Sequence, residues 1–332
     1  MENTTGMHKL NKKAVITVFM LLALTVAVII LVHDNPGADP GQEITKKLAS
    51  CMGILAACVI FCKWYDKFMV LPAELYQNRH LIWKLAKNDF KKRYAGSYMG
   101  AVWAMMQPVV TIAMYYIVFG IIFPNQRESG DVPFVLFLTA GLVPWFYFNE
   151  AWNNGTNALL EYDYLVKKVV FKISILPIIK IIAATFIHVF FAMVLLLVAI
   201  GYGYYPSIYT IQIVYYSVCL FIFVLGLSYI TCAVVVFFRD LSQIINIVLQ
   251  LGMWATPILW DINAIKAQWA VTILKLNPLV YIVNGYRSAI YEREWFFQDF
   301  FSTMYFWLVT VALFGLGALI FKRLKVHFAD VL

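Results

Sequence analysis

Charge is scarce in this 332-residue chain: Asp, Glu, Lys and Arg make up 13% of it, against 62% hydrophobic residues. A soluble domain of that length cannot cover its surface with so few charges, so lipid must be the solvent for much of the chain. The short alternating segments of an outer-membrane barrel are also missing. The apolar runs are about 20 residues long, the length of a membrane-crossing helix. Backbone groups in hydrocarbon have to bond within their own segment, which leaves an all-α, polytopic helical bundle. Cysteine is limited to Cys51, Cys58, Cys62, Cys219 and Cys232, none with metal-ligand spacing. These read as reduced, small buried hydrophobes.

Signatures of catalysis are missing too. There is no phosphate loop of the form GxxxxGK followed by Ser or Thr, no HExxH, no GxSxG and no carboxylate pair at a catalytic spacing. His8, His33, His80, His188 and His327 are scattered, so no metal site is expected and an enzyme acting alone is disfavoured. A transporter of this composition draws its energy from an ion gradient or from another subunit. Ion-coupled carriers place ionisable groups near the midplane, whereas the spans here are nearly bare of charge. The clearest exception is Glu150, beside Asn149, Asn153, Asn154, Thr156 and Asn157. That polar half-span either lines an aqueous path, binds its neighbours, or is a helix end nearing the cytoplasm.

Hydropathy predicts eight spans. A first run, Ala14 to Val32, has too long an apolar core for a signal peptide and no small-x-small cleavage site after it. His33 to Glu43, rich in Pro, Gly and acidic residues, reads as an external turn, and Leu48 to Cys62 returns the chain inward. The others cover Gly100 to Phe123, Phe134 to Ala158, Ile178 to Ile200, Ile211 to Phe238, Ile244 to Trp260 and Phe300 to Phe321. Of the 26 Lys and Arg residues, seven (Lys46, Lys47, Arg127, Lys266, Lys275, Arg287, Arg293) fall outside in this layout, leaving nineteen inside. The bias puts both termini in the cytoplasm. It also accounts for the net charge of +8 as basic flanks of apolar helices near anionic headgroups, which argues against nucleic acid as a partner.

Between the second and third spans, Ile82, Leu85, Ala86, Phe90 and Tyr94 recur at helical spacing while Lys84, Lys87, Asn88, Lys91 and Lys92 take the other face. That pattern predicts a basic amphipathic helix in the cytoplasmic membrane interface, with Asp89 and Arg93 also on it. Residues 261–299, between the last two spans, are too apolar for an aqueous loop. They read either as one or two half-helices dipping into the outer leaflet or as an external amphipathic helix on the headgroups. The glycines Gly96, Gly100, Gly141, Gly226, Gly315 and Gly317 read as close-packing positions.

LIWKLAKNDFKKRYAGSYMGAVWAMMQP (Leu81 to Pro108) resembles the start of permease subunits of the ABC-2 family that export lipid-linked O-antigen, capsular polysaccharide and teichoic acid. The likeness continues in order through FVLFLTAGLVPWFYFNEAW (Phe134 to Trp152), LVKKVVFKISILP (Leu165 to Pro177) and FFRDLSQI (Phe237 to Ile244). It runs on through ATPILW (Ala255 to Trp260), LNPLVYIVNGYRSAI (Leu276 to Ile290) and FADVL (Phe328 to Leu332), covering about three quarters of the chain. Two departures stand out. Family members usually begin near the amphipathic helix, so the first two spans are an addition, and Phe171 is followed by Lys172 where the family often has proline.

The resemblance implies a six-span permease core at residues 99–332, an interface helix within 71–98 and an added two-helix hairpin at 1–70. It further implies a homodimer with two copies of a separate cytoplasmic ABC ATPase, which would hold the ATP and Mg; no cofactor is expected on this chain. The localisation implied is the cytoplasmic (inner) membrane. Two short internal loops would receive force from the ATPase, through Glu161, Asp163, Lys167 and Lys168 in one and Arg239 and Asp240 in the other. On the cargo side, sugar rings stack on aromatic faces without a fixed hydrogen-bond register, which suits a moving polymer. Tyr115, Tyr116, Trp145, Phe148, Trp152, Trp254 and Trp260, with Glu150, are the path residues proposed, against the alternative of packing or interface anchors. Two other functions stay open: an ABC-2 permease for a small drug or lipid, and a membrane-embedded enzyme or assembly factor of envelope synthesis.

Overall fold

The computed structural model describes residues 12–32, 40–68, 70–93, 98–100, 102–122, 132–167 and 172–332. Among them there is no strand, and the chain is a polytopic membrane protein built of helices. It divides into two compact units, Met1–Gln77 and Asn78–Leu332.

The first unit holds α1 (Lys12–Val32), α2 (Pro40–Phe68) and α3 (Val70–Gln77). α1 and α2 pair through Phe19 stacked on Phe61 at 4.1 Å, with Tyr65 edge-on to Phe61 at 5.7 Å. The Lys12 ammonium sits 5.3 Å over the Tyr65 ring. α2 is longer than its apolar run. It starts at Pro40, a residue pre-set for the first helical position, and so takes in Gly41 and Glu43, which were expected in the turn.

The second unit opens with α4 (Arg79–Arg93) and α5 (Val102–Tyr115), whose end widens into a π-helical stretch at Tyr116–Ile122. α6 (Phe134–Thr156) follows, then two single-turn helices, α7 (Ala158–Glu161) and α8 (Asp163–Val166). α9 (Leu176–Gly201) begins with Pro177 in its first turn; α10 (Gln212–Val235), α11 (Leu241–Ala255), α12 (Gln268–Lys275) and α13 (Pro278–Arg287) come next. α14 (Phe300–Leu324) and the terminal α15 (Phe328–Val331) complete the chain.

Among the described residues, six helical segments are long and apolar enough to cross a bilayer: Lys12–Val32, Val102–Ile122, Phe134–Thr156, Ile173–Gly201, Ile208–Val235 and Phe300–His327. Two of the eight expected spans differ. α2 carries charged ends within its helix. α11 has 15 residues, about 22 Å of rise against a hydrocarbon core of about 30 Å, and stops at Ala255 rather than Trp260. The stop is local chemistry: Thr256 turns to extended backbone, and Pro257 forbids a continuing helix.

α6 is the hub, packed against α9, α10, α13 and α11, and most of it is buried. The expected half-helix is α13: Leu279, Val280, Ile282, Val283 and Tyr286 are buried, and it packs on α6, α10 and α14. α12 instead exposes Trp269 and Ile273, the habit of a surface amphipath. Each alternative reading of residues 261–299 therefore describes one helix.

α10 and α14 make the most extensive helix contact. A Cβ built on Gly317 would sit 2.8 Å from the Gly226 carbonyl oxygen and 3.0 Å from Tyr229 Cβ. Gly226 and Gly317 are thus packing glycines, as expected. Gly100 is not: its φ is +54° with open space around it, so it serves the turn before α5, and Gly96 lies outside the described residues. Gly317→Ala is expected to force α10 and α14 apart at a cost of about 1–3 kcal/mol, read as a lower melting midpoint of the detergent-purified protein. An unchanged midpoint would remove the close-crossing account.

Candidate functional site

α4 meets the bundle through an apolar and acidic face. Ile82, Ala86 and Asp89 are buried against α9, and Phe186 receives the edges of Trp83 and Phe90, at 5.3 and 5.8 Å. Lys84, Lys87 and Lys91 stay exposed on the opposite side, which gives the amphipathic helix its expected basic face. Its apolar face meets protein rather than lipid alone, because α9 runs beneath it.

Asp89 is the centre of an ionic cluster that joins four elements. Lys180 Nζ of α9 donates to Asp89 Oδ1 at 2.6 Å, and Tyr162 OH donates to the same oxygen at 2.6 Å. Lys180 also pairs with Glu161 of α7 and lies 4.8 Å over the Tyr162 ring. Arg93 Nη2 stands 3.7 Å from Asp89 Oδ2, and Nη1 pairs with Glu150 of α6. The Lys180 and Asp89 side chains are only 5% and 8% exposed, a burial that charges tolerate when paired and hydrogen-bonded. Burial and the bond to Asp89 push the Tyr162 phenol well above its ordinary pKa, so it stays a donor. Lys180 and Tyr162 were not among the residues expected here. The one signal for Lys180 was a lone cation within an apolar run.

This cluster gives Glu150 and Glu161 partners that sequence patterning did not supply. Glu150, expected along the path or against neighbours, is ion-paired to the interface helix. Glu161, expected to face the ATPase, spends one side on Lys180 while its side chain remains 50% exposed. In the same loop, the Asp163 carboxylate accepts from Tyr164 N at 2.6 Å and Lys167 is exposed; Lys168 lies outside the described residues. The second loop presents Phe237, Phe238, Arg239 and Asp240, all exposed, with the Phe237 ring 6.1 Å from that of Phe328. Phe237 and Phe238 were not singled out from sequence as docking residues.

Asn153 of α6 and Asn157 at its end face α11. Asn153 Nδ2 donates to Asn246 Oδ1 at 2.5 Å, and Ser242 Oγ donates to Asn157 Oδ1 at 2.7 Å. Asn157 in turn donates to Asn153, and Thr156 bonds Thr231 of α10 at 2.7 Å. This half-span binds its neighbours, as one of the three readings held.

The proposed path aromatics fall into three groups. Trp145 and Phe148 are buried: their rings lie 5.6 Å apart, Phe148 also stacks on Phe223, and Gly252 of α11 leaves just enough room for the Trp145 ring. Tyr115, Trp152 and Trp260 are half-buried; Tyr115 OH reaches Met253 Sδ at 3.6 Å, and Trp260 Nε1 donates to the Trp254 carbonyl at 3.2 Å. Tyr116 and Trp254 are exposed.

The two helices beside these residues are poorly covered. α5 has no buried residue, and α11 buries only Ile245 and Leu249. One stripe of α11, spaced i, i+4, i+7 and i+11, exposes Gln243, Ile247, Gln250 and Trp254. α5 presents Gln107 in a groove of about 610 Å³ with Trp103, Met106, Val110 and Thr111.

At the opposite end of α11, the turn after Ala255 is tied to α13. Asn277 Nδ2 donates to Thr256 Oγ1 at 2.9 Å, and Arg287 Nη2 donates to the Ile258 carbonyl at 3.1 Å. The guanidinium lies 3.6 Å from the centre of the Phe137 ring. His188, Ser217 and Tyr286 close a buried triangle of hydrogen bonds of 3.0, 2.6 and 2.9 Å that pins α13 to α9 and α10. Among the described residues, no group of three or more His, Cys, Asp and Glu side chains is placed to hold a metal.

Comparison with known proteins places this arrangement. The sequence pattern of the family described as ABC-2 type transporter matches residues 80–291. The O-antigen export system permease protein RfbA of Myxococcus xanthus is 29% identical over 261 residues, 78% of this chain and 98% of the relative. RfbA of Klebsiella pneumoniae is 27% identical over 251 residues, 75% of this chain and 93% of the relative. The polysialic acid transport protein KpsM of Escherichia coli is 26% identical over 203 residues, 61% of this chain and 78% of the relative.

Proposed function

Because this chain belongs to the ABC-2 type transporter family, we propose that it is the membrane-spanning subunit of an ATP-driven exporter of a lipid-linked cell-surface polysaccharide. The cargo class follows relatives named for O-antigen export and polysialic acid transport; a teichoic acid type polymer has the same chemistry, a sugar chain on a lipid carrier.

The observation that carries the mechanism is the uncovered face of α11, where Gln243 and Gln250 alternate with Ile247 and end at Trp254. Amide side chains facing lipid cost free energy with no hydrogen-bond partner. A second copy, placing its own α5 and α11 opposite, would turn these faces inward around a path in which amides meet sugar hydroxyls and tryptophan meets their C–H faces. Exposed Gln107 on α5 fits the same wall.

In this reading, two ATPase subunits grip Glu161, Asp163, Lys167 and Lys168 on one loop and Arg239 and Asp240 on the other, from the cytoplasm, and they hold the ATP and Mg. Both termini are then cytoplasmic and the membrane is the inner one. Residues 99–332 form the six-span core, α11 with its outer turn counting as one span; residues 71–98 supply the interface helix, and residues 1–70 the added hairpin. The test is reconstitution of the chain with its ATPase in vesicles loaded with lipid-linked polymer. ATP-dependent appearance of polymer on the far side, lost when either subunit is omitted, is the expected result. ATP-dependent movement of a small drug or lipid with no polymer movement would transfer the assignment to the efflux reading.

A further inference from the structure

The ionic cluster carries an inference that rests on the exporter reading. Its members alternate in sign along a chain, Glu161, Lys180, Asp89, Arg93 and Glu150, and they come from α7, α9, α4 and α6. Asp89 and Arg93 are one helical turn apart on α4, but the other partners are 19, 91 and 57 positions apart, so the fold brings those together. One end, Glu161, is half exposed in the loop that the ATPase would grip; the middle, Lys180 with Asp89, is almost fully buried. The other end is Glu150, on the helix that bears Trp145, Phe148 and Trp152 and that zips to α11 through Asn153.

We propose that Lys180 is a positioning residue for force transmission: by sharing one ammonium between Glu161 and Asp89, it makes the ATPase-facing loop, the interface helix and α6 move as one body. Apolar contacts of Ile82, Trp83 and Phe90 already seat α4 on α9; Lys180 adds α7 to that seat. The Lys180–Asp89 pair is costly to break, because separating two charges at this depth leaves each uncompensated. A displacement at Glu161 is therefore passed on to Asp89, and from there through Arg93 to Glu150, instead of being absorbed by loop motion. The five residues form a contiguous set of charged contacts between the two sites, the longest link being Asp89 to Arg93 at 3.7 Å.

The experiment uses the complete complex in vesicles and reads polymer moved per ATP hydrolysed. Asp89→Asn with Lys180→Met removes the carboxylate and the ammonium together, so neither is left buried alone. The double variant is expected to keep its ATPase and to hydrolyse ATP within about twofold of the parent, while polymer per ATP falls by about tenfold; Lys180→Arg should restore most of it. Should the double variant fail to accumulate, Asp89→Asn alone, which leaves Lys180 with Glu161, is expected to give the same fall in the ratio. A ratio that stays constant, or hydrolysis and export that decline together with protein level, overturns the proposal in favour of simple packing. If the parent complex hydrolyses ATP and moves no polymer, it is the exporter reading that fails.

Discussion

Reversing Lys167, Arg239 and Asp240 together, as Lys167→Glu, Arg239→Glu and Asp240→Lys, is expected to abolish co-purification of the ATPase while leaving the permease intact. All three residues are exposed, so in the isolated chain each change should cost no more than about 0.5 kcal/mol. At a docked surface the balance is different. A hydrogen-bonded charge pair desolvated between partners loses about 2–5 kcal/mol when one member is removed, and reversal adds repulsion; each 1.4 kcal/mol is about tenfold in affinity. Phe237 and Phe238 are exposed beside Arg239 and, under a docked ATPase, would supply the water-excluding surround that makes such pairs count. The measurement is a pull-down from detergent with matched permease levels. Undiminished ATPase binding would remove the two loops from the docking surface.

Trp254→Ala and Trp145→Ala should separate export from folding. Trp254 is 58% exposed, and the hydrogen bond from Trp260 reaches its backbone carbonyl, which alanine keeps. The alanine variant is expected to accumulate normally, dimerise and hold its ATPase, yet to export about tenfold less, the worth of an aromatic stacking contact of up to about 1.5 kcal/mol; Trp254→Phe should retain much of the activity. Trp145 is 3% exposed, wedged against Gly252 and Phe148. Its truncation opens a cavity costing about 3–5 kcal/mol, and the expected result is loss of protein from the membrane. Immunoblot level and export are measured on the same cells. Normal export by the Trp254→Ala variant would take that residue out of the path, and normal accumulation of the Trp145→Ala variant would contradict its place in the core.

Hydropathy and helical spacing were enough to identify α6, α9, α10 and α14, because a bilayer imposes length and apolarity on each segment separately. They were enough for α4 as well, whose two faces alternate within 15 residues. Where α11 ends was harder to read: the apolar run continues through Ile258, Leu259 and Trp260, and only Thr256 and Pro257 mark the break. The ionic cluster was not legible. Lys180 and Arg287 entered the reading as topology signals, one inside and one outside, and the structure buries both. Nothing in local spacing links Lys180 to an aspartate 91 positions earlier. Likewise the aromatics of α6 looked alike in sequence, and only packing separates buried Trp145 and Phe148 from exposed Trp254 on α11.

The bareness of α5 has a bearing on how the transporter is made. A newly inserted copy holds this helix by little more than its contact with α6, with every residue from Val102 to Tyr115 at least partly open. If the second copy proposed above completes its seat, the lifetime of a protomer depends on meeting another one, and assembly follows mass action. At low synthesis most copies would present a loosely attached helix to the proteases that police the membrane. Lowering gene dosage should then reduce the amount of exporter more steeply than in proportion, a form of quality control written into one poorly covered helix.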